Sequence, residues 1–352
     1  MSKFWSEATK TLQPYVPGEQ PKMGNIIKLN TNENPYPPSP KVLEALDHFP
    51  KQKLRLYPDP EGTVLKQALS THFELPLDHV FVGNGSDEVL AHAFMAFFRH
   101  NKPLLMPSMT YSFYDVYCNL YNITPEHIAL TDDFRVDLQQ YHQDNGGIIF
   151  ANPNAPTGVA IDLSDIKALL ERNTETVVLV DEAYVDFGAE SATGLIRQYP
   201  NLLVVQTLSK SRSLAGMRVG YALGSPELIA GLERVKNSFN SYPLDMLALA
   251  SATAAIEDTA YFNETVQQIM NDRDWTVNQL INLNFEVLPS STNFVFAKHE
   301  TASGSELMAY LRSKNILVRH FTKPGIENHL RITIGTRDEM QSLITALQDY
   351  KA

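Results

Sequence analysis

Cysteine is nearly missing from this chain. Cys118 is the only one in 352 residues, which excludes an internal disulfide framework and leaves cysteine-rich metal sites without ligands. A reducing compartment, the cytoplasm, fits that usage. Long apolar runs are missing too: nothing approaches the roughly 18 consecutive apolar positions of a membrane-spanning helix, and the N-terminus "MSKFWSEATKTLQPYVPGEQ" has no apolar signal-peptide core. The expectation is a soluble chain with no membrane partner. Positive charge is in deficit, with 29 Lys and Arg against 40 Asp and Glu and a net charge of -11. That balance argues against a nucleic-acid partner and confines any anion binding to a local basic pocket. The ten histidines are never three or four residues apart, and H-E-x-x-H is absent, so no metal site is expected. Neither G-x-x-x-x-G-K-[ST] nor G-x-S-x-G occurs, and no internal repeat is visible.

What is present is enough apolar material for a real core, 43% of the residues, in a length that suits two domains. Short apolar runs, "HVFVGNG" (79–85), "PLLMP" (103–107), "GGIIFANP" (146–153), "TVVLVDEAY" (176–184) and "NLLVVQTLSK" (201–210), are separated by stretches long enough for crossover helices. This pattern predicts an α/β fold with a mostly parallel central sheet flanked by helices. From about residue 283, "FEVLPSSTNFVFAKH", "ILVRHF" and "HLRITIGT" alternate like half-buried strands, with amphipathic helices between and after them. We therefore expect a large domain over 46–282 and a smaller α+β domain over 283–352, joined by the helix-rich stretch 245–282. The first 45 residues, rich in Pro and Asn, are expected to lack sheet core and to drape over a cleft with the small domain.

Chemistry in an open α/β sheet gathers beyond the carboxyl ends of the strands. The stretch "TLSKSRSLAGMRVG" (207–220) follows the apolar run "LLVVQ" and puts Lys210 where burial would be costly unless the amine is neutralised, paired or covalently occupied. A partly desolvated lysine is a Schiff-base candidate. Ser209 offers a hydroxyl and Arg218, eight residues after Lys210, a forked cation, together suited to a phosphate. At the end of the preceding strand, Asp181 can pair with a protonated ring nitrogen, and Tyr184 can reach a phenolic oxygen. "GNGSDE" (83–88) reads as a helix entry, with Ser86 as N-cap, free backbone N–H groups at Ser86 and Asp87 for a phosphate, and the acidic side chains pointing away. A lysine partner for an aldehyde, a partner for a pyridinium and a phosphate cradle together describe pyridoxal 5'-phosphate (PLP).

Across nearly the whole chain, "LNTNENPYPPSP", "LRLYPDP", "GNGSDEV", "ANPNAPTG", "DEAYVDF", "TLSKSRSLAGMRVGYALG" and "LRITIGT" resemble the fold-type I PLP-dependent aminotransferases, most closely the histidinol-phosphate branch. The resemblance implies that Lys210 carries the cofactor, Asp181 faces the ring nitrogen and Tyr184 donates to the phenolic oxygen. It also implies that Tyr111 stacks on the ring and that Ser86, Asp87, Ser209 and Arg218 hold the phosphate. Tyr57, in "LRLYPDP", resembles a tyrosine that reaches the neighbouring subunit's cofactor phosphate, which implies a homodimer. Where such enzymes carry an asparagine before "PTG", this chain has Ala155; Asn154 is the candidate replacement, or Tyr184 serves alone. Arg331 resembles an anchor for carboxylate or phosphate, Arg319 a second phosphate ligand, and Tyr15 a phosphate contact made across the dimer. The implied substrates are histidinol phosphate and 2-oxoglutarate or glutamate. Alternatives are aromatic amino-acid transamination, phosphothreonine decarboxylation and, in a different class, a PLP-binding regulatory module.

Overall fold

The computed structural model describes residues 2–16, 18–20 and 24–350. Its first strand, β1 (Ile27–Leu29), lies in the Pro- and Asn-rich N-terminal segment. The next seven are β2 (Val80–Gly83), β3 (Leu104–Pro107), β4 (Pro125–Ile128), β5 (Gly147–Ala151), β6 (Val178–Asp181), β7 (Leu202–Thr207) and β8 (Gly220–Gly224). They form one sheet in the order β2-β8-β7-β6-β5-β3-β4. β9 (Phe285–Val287), β10 (Phe294–His299), β11 (Ile316–His320) and β12 (His329–Thr333) join β1 in a second sheet, ordered β1-β11-β12-β10-β9.

Side-chain alternation explains why the large sheet is buried on both faces. Ile148, Phe150, Val178, Val180, Leu202 and Val204 point into one apolar core, and Ile149, Leu179, Leu203 and Val205 point into another. Helices Thr63–Phe73, Leu163–Arg172 and Met246–Glu257 cover the first face; helices Gly85–Ala93, Phe113–Tyr121 and Pro226–Phe239 cover the second. Strands without a polar side are the outcome that runs such as "LLVV" encode.

Three features depart from the expectation. β8 runs antiparallel to β7 and β2, because the link from Thr207 to Gly220 is spent on the Lys210 turn and the short 3-10 helix Ala215–Met217 and holds no crossover α-helix. The N-terminal segment does supply a strand, β1, which pairs in parallel with β11 from Ile27 opposite Ile316 to Leu29 opposite Val318. Three residues at a sheet edge suffice, and the prolines lie outside them. The long helix Thr259–Asn282 gives Val266, Ile269 and Leu280 to the second sheet's core, so that packing unit reaches back past residue 283. Its helical periodicity alone carried no information about which sheet it would face.

The geometry that matters is where the two sheets meet. Ala151, Asp181 and Thr207 end β5, β6 and β7, and Arg319 and Arg331 oppose each other in the antiparallel register of β11 and β12. Both groups line one cleft of about 550 Å³.

Candidate active site

Lys210 stands three residues beyond the end of β7. The turn behind it is closed by Leu208, whose N–H donates to Val219 O at 3.0 Å and whose carbonyl accepts from Leu214 N at 3.0 Å. Asn34 reaches in from the N-terminal segment and donates to Lys210 O at 2.9 Å. The half-buried amine is 3.4 Å from Thr31 O and 5.5 Å from the centre of the Tyr184 ring. It faces the cleft without a carboxylate partner among the described residues.

Asp181 ends β6 and is 5% exposed. Its Oδ2 accepts the Tyr114 hydroxyl at 2.7 Å and its Oδ1 the Ala183 N–H at 3.2 Å. Burial, partly offset by these bonds, pushes the carboxyl up to about 6. An acid so placed gains from a cation in front of it. Tyr184 lies beside it, its hydroxyl accepting from Asn32 Nδ2 at 2.9 Å.

At the phosphate end, helix Gly85–Ala93 starts two residues earlier than expected, with Asn84 at its cap, so Ser86 lies inside the first turn. The Asn84 N–H is taken by Glu88 Oε2 at 2.6 Å. Gly85 has φ +78°, and a Cβ there would come within 2.5 Å of the Arg218 guanidinium. Only glycine lets that cation close on the helix start. The acidic side chains do not both point away: Asp87 turns into the cleft, where Oδ2 accepts from Arg218 Nη2 and Oδ1 from the Tyr111 hydroxyl, each at 3.0 Å. The Arg218 guanidinium draws the carboxylate in. Ser209 Oγ is 3.5 Å from Arg218 Nη1. Tyr111 packs edge-on to Tyr114 with ring centres 5.5 Å apart, and burial beside Asp87 holds its phenol far above the usual range.

Arg331 is half-buried in the opposite wall. Nη2 donates to Asn30 O at 3.2 Å, while Nε is buried with no partner. Burial and the neighbouring Arg319 lower its pKa. The Phe321 ring stands between the two cations, 5.6 Å from Arg319 Cζ and 5.7 Å from Arg331 Cζ. Tyr15 enters from the N-terminal segment and packs on Phe113 at 4.9 Å.

The cleft thus gathers Tyr15, Ser86, Asp87, Tyr111, Asp181, Tyr184, Ser209, Lys210, Arg218, Arg319 and Arg331. Two candidates lie elsewhere. Tyr57 is 80% exposed and stacks on Tyr242 at 4.8 Å. Asn154 is buried outside the cleft wall, with Nδ2 spent on Met109 O at 3.0 Å and Thr157 Oγ1 at 3.2 Å; it shapes the turn. Two residues not singled out from sequence matter here, Asn32 and Tyr114. Tyr114 had a signal, lying three residues after Tyr111 on a helix start. No group of metal-ligating side chains occurs among the described residues.

A phosphorylated pyridine aldehyde fits this donor set. A glycine-lined cradle with Arg218 and Ser209 suits its phosphate, a buried carboxylate its ring cation, an unpaired amine its aldehyde and Tyr184 its phenolic oxygen.

Known proteins agree with that reading of the geometry. Residues 24–347 match the family of class I and II aminotransferases. Over 348 residues the chain is 58% identical to the histidinol-phosphate aminotransferase of Chromohalobacter salexigens, covering 99% of each chain. It is 56% identical over 351 residues to histidinol-phosphate aminotransferase 1 of Pseudomonas aeruginosa, covering 100% of each. The fold superposes with a TM-score of 0.88 on the crystal structure of histidinol-phosphate aminotransferase from Sinorhizobium meliloti in complex with pyridoxal-5'-phosphate, at 24% identity, covering 99% of this chain and 97% of that one. The chain belongs to the class I and II aminotransferases and, within them, to the histidinol-phosphate aminotransferase family.

Proposed function

We propose that the chain is a PLP-dependent transaminase of histidine biosynthesis, converting histidinol phosphate and 2-oxoglutarate reversibly to imidazole acetol phosphate and glutamate in ping-pong order. Full-length identity of 58% to a histidinol-phosphate aminotransferase supports the reaction. The observation that carries the substrate class is the pair of guanidiniums on β11 and β12, neither of which forms an ion pair among the described residues. Such forks accept a phosphomonoester or a carboxylate.

PLP, when bound, supplies an electron sink for the amino-bearing carbon of the substrate. Lys210 would hold it, and its Nζ, once the substrate amine has displaced it, would carry the proton away from that carbon. Asp181 keeps a proton on the ring nitrogen. The Ser86 and Asp87 N–H groups, Ser209 and Arg218 hold the phosphate, Tyr111 covers one ring face and Tyr184 donates to the phenolic oxygen. Arg331 and Arg319 take the substrate's anionic end, and Tyr15 narrows the entrance above them. The test is turnover of histidinol phosphate, phenylalanine and phosphothreonine, each with 2-oxoglutarate. Preference for phenylalanine would move the assignment to aromatic transamination, release of carbon dioxide from phosphothreonine to decarboxylation, and no turnover to a regulatory module.

The working unit is a homodimer, in which the exposed Tyr57, beside Tyr242, reaches the cofactor phosphate of the second copy. Sedimentation at twice the chain mass, and activity regained by mixing Lys210→Ala with Tyr57→Ala, are the expected results. The lone, buried Cys118 suits the cytoplasm, where thiols stay reduced.

A further inference from the structure

Asn32 is 1% exposed, adopts φ +56°, and has every polar group engaged. Its N–H donates to Thr333 Oγ1 at 3.0 Å; the Thr333 hydroxyl, having accepted that bond, gives its own proton to Asn32 Oδ1 at 3.0 Å. The backbone carbonyl accepts from Asn293 Nδ2 at 3.1 Å. With Oδ1 accepting the Thr333 hydroxyl, Nδ2 is the atom that faces Tyr184.

A phenol has one hydrogen to give. An oxygen that already receives the Asn32 amide hydrogen must aim its own hydrogen elsewhere, and Tyr184 and Asn32 both line the cleft. Ala155, on the same cleft, offers no amide that could share the task. We propose that Asn32 is a positioning residue that fixes the direction of the Tyr184 hydroxyl proton, so that Tyr184 donates into the cleft to the phenolic oxygen of bound PLP. Asparagine suits the place twice over. It tolerates the left-handed backbone, and its amide offers an acceptor to Thr333 and a donor to Tyr184 from one fork. Aspartate has the same shape and would keep the Thr333 bond, yet it would present an acceptor to Tyr184 and draw the phenol proton out of the cleft.

This inference rests on the PLP reading of the cleft, and its test separates the two. The protein is loaded with PLP and the visible absorption of the bound cofactor is titrated with pH for the unaltered chain, Asn32→Asp, Asn32→Gly, Tyr184→Phe and Asn32→Gly/Tyr184→Phe. A phenolic oxygen deprived of its donor holds the neighbouring proton more tightly, so the midpoint moves up. Tyr184→Phe and Asn32→Asp are each expected to raise it by about one pH unit, a tenfold change in proton affinity. Asn32→Gly, which adds no charge and accepts the backbone conformation, is expected to raise it by less, and to add nothing in the Tyr184→Phe background. Thr333→Val frees the amide to turn over and should reproduce part of the rise; with Asn32→Gly it decides the matter if Asn32→Asp does not fold. An unmoved midpoint in Asn32→Gly and Thr333→Val, or an equal shift by Asn32→Gly with and without the Tyr184 hydroxyl, overturns the inference alone. Failure of the unaltered protein to show a bound-cofactor band that Lys210→Ala alters overturns the PLP reading and the inference with it.

Discussion

The Tyr114 hydroxyl donates to Asp181 Oδ2 at 2.7 Å, joining a fully buried phenol to a carboxylate with almost no access to water. The bond runs from the helix start at Phe113 to the end of β6, so one side chain fixes both the position and the charge of the acid. This bond, the Ala183 N–H and the positive charge of Lys210 work against the burial that favours the neutral carboxyl.

Removing that donor with Tyr114→Phe should push the Asp181 carboxyl further up while leaving the packing nearly unchanged. A hydrogen bond to a charged group contributes about 1.5–3 kcal/mol, so kcat/KM should fall by roughly 10- to 150-fold. The acidic limb of its pH profile should move to higher pH. A profile superposable on the parent's would show that Tyr114 does not hold the carboxylate.

In cofactor-free protein the contribution of Asp181 and Glu182 to stability should fall as pH rises from about 4 to 7. Burial raises the Asp181 carboxyl to about 6 and that of its neighbour Glu182 to about 7, above their ordinary values. The folded chain therefore binds protons more tightly than the unfolded one, so the stabilisation is complete below the unfolded values and fades as pH climbs through the folded ones. For Asp181 alone the loss is of order 3 kcal/mol, at about 1.4 kcal/mol per unit. Urea midpoints of PLP-stripped parent and Asp181→Asn across this range are the check: the parent should decline relative to the variant as pH rises, and a constant difference would contradict it. Added PLP, whose ring nitrogen offers Asp181 a cation, should flatten the decline.

Lys210→Ala should lower transamination by at least about 10³-fold with the melting temperature close to the parent's, since the side chain anchors no core. Asp181→Asn should still take up PLP but react far more slowly, because an amide does not hold the ring nitrogen protonated as a carboxylate does. Stopped-flow absorbance of the first half-reaction separates binding from proton transfer in both variants.

Arg331→Leu should damage both half-reactions, because the half-buried guanidinium lines the cleft that either anion enters and forms no ion pair among the described residues. Truncating one partner of a buried charge pair costs about 2–5 kcal/mol, or roughly 30- to several-thousand-fold in kcat/KM. Arg319→Leu should weaken the histidinol phosphate half-reaction more than that with glutamate, given a phosphomonoester charge of about -1.5 to -2. Single-turnover measurement of each half-reaction distinguishes them, and equal losses in Arg319→Leu would remove its phosphate-selective role.

The large sheet was legible in the chain because apolar runs of four to six residues between turn signals have few other solutions, and alternate residues of "LLVV" or "GIIFA" must then go to opposite cores. The position of Lys210, Asp181 and Tyr184 at strand ends followed from the same runs. β4 was invisible, since "PEHI" at the sheet edge carries one buried residue. β8 was unread because its direction depends on what its connection holds rather than on its own pattern.

What the sequence by itself determined was therefore the α/β class and the strand-end location of Lys210 and Asp181, set by residue type and short-range period, whereas Tyr15, Tyr111, Arg319 and Arg331 were named by the family resemblance. Tertiary structure decided which way those groups face. Asp87 turns inward because Arg218, 131 positions away, lies in front of it, and Asn154 is lost to the cleft because Met109 O claims its amide. Asn32 meets Tyr184 across 152 positions and Thr333 across 301. The physical reason is range: periodicity and propensity act over a few residues, whereas the direction of a hydrogen bond is fixed by partners that only the folded chain brings within 3 Å or so.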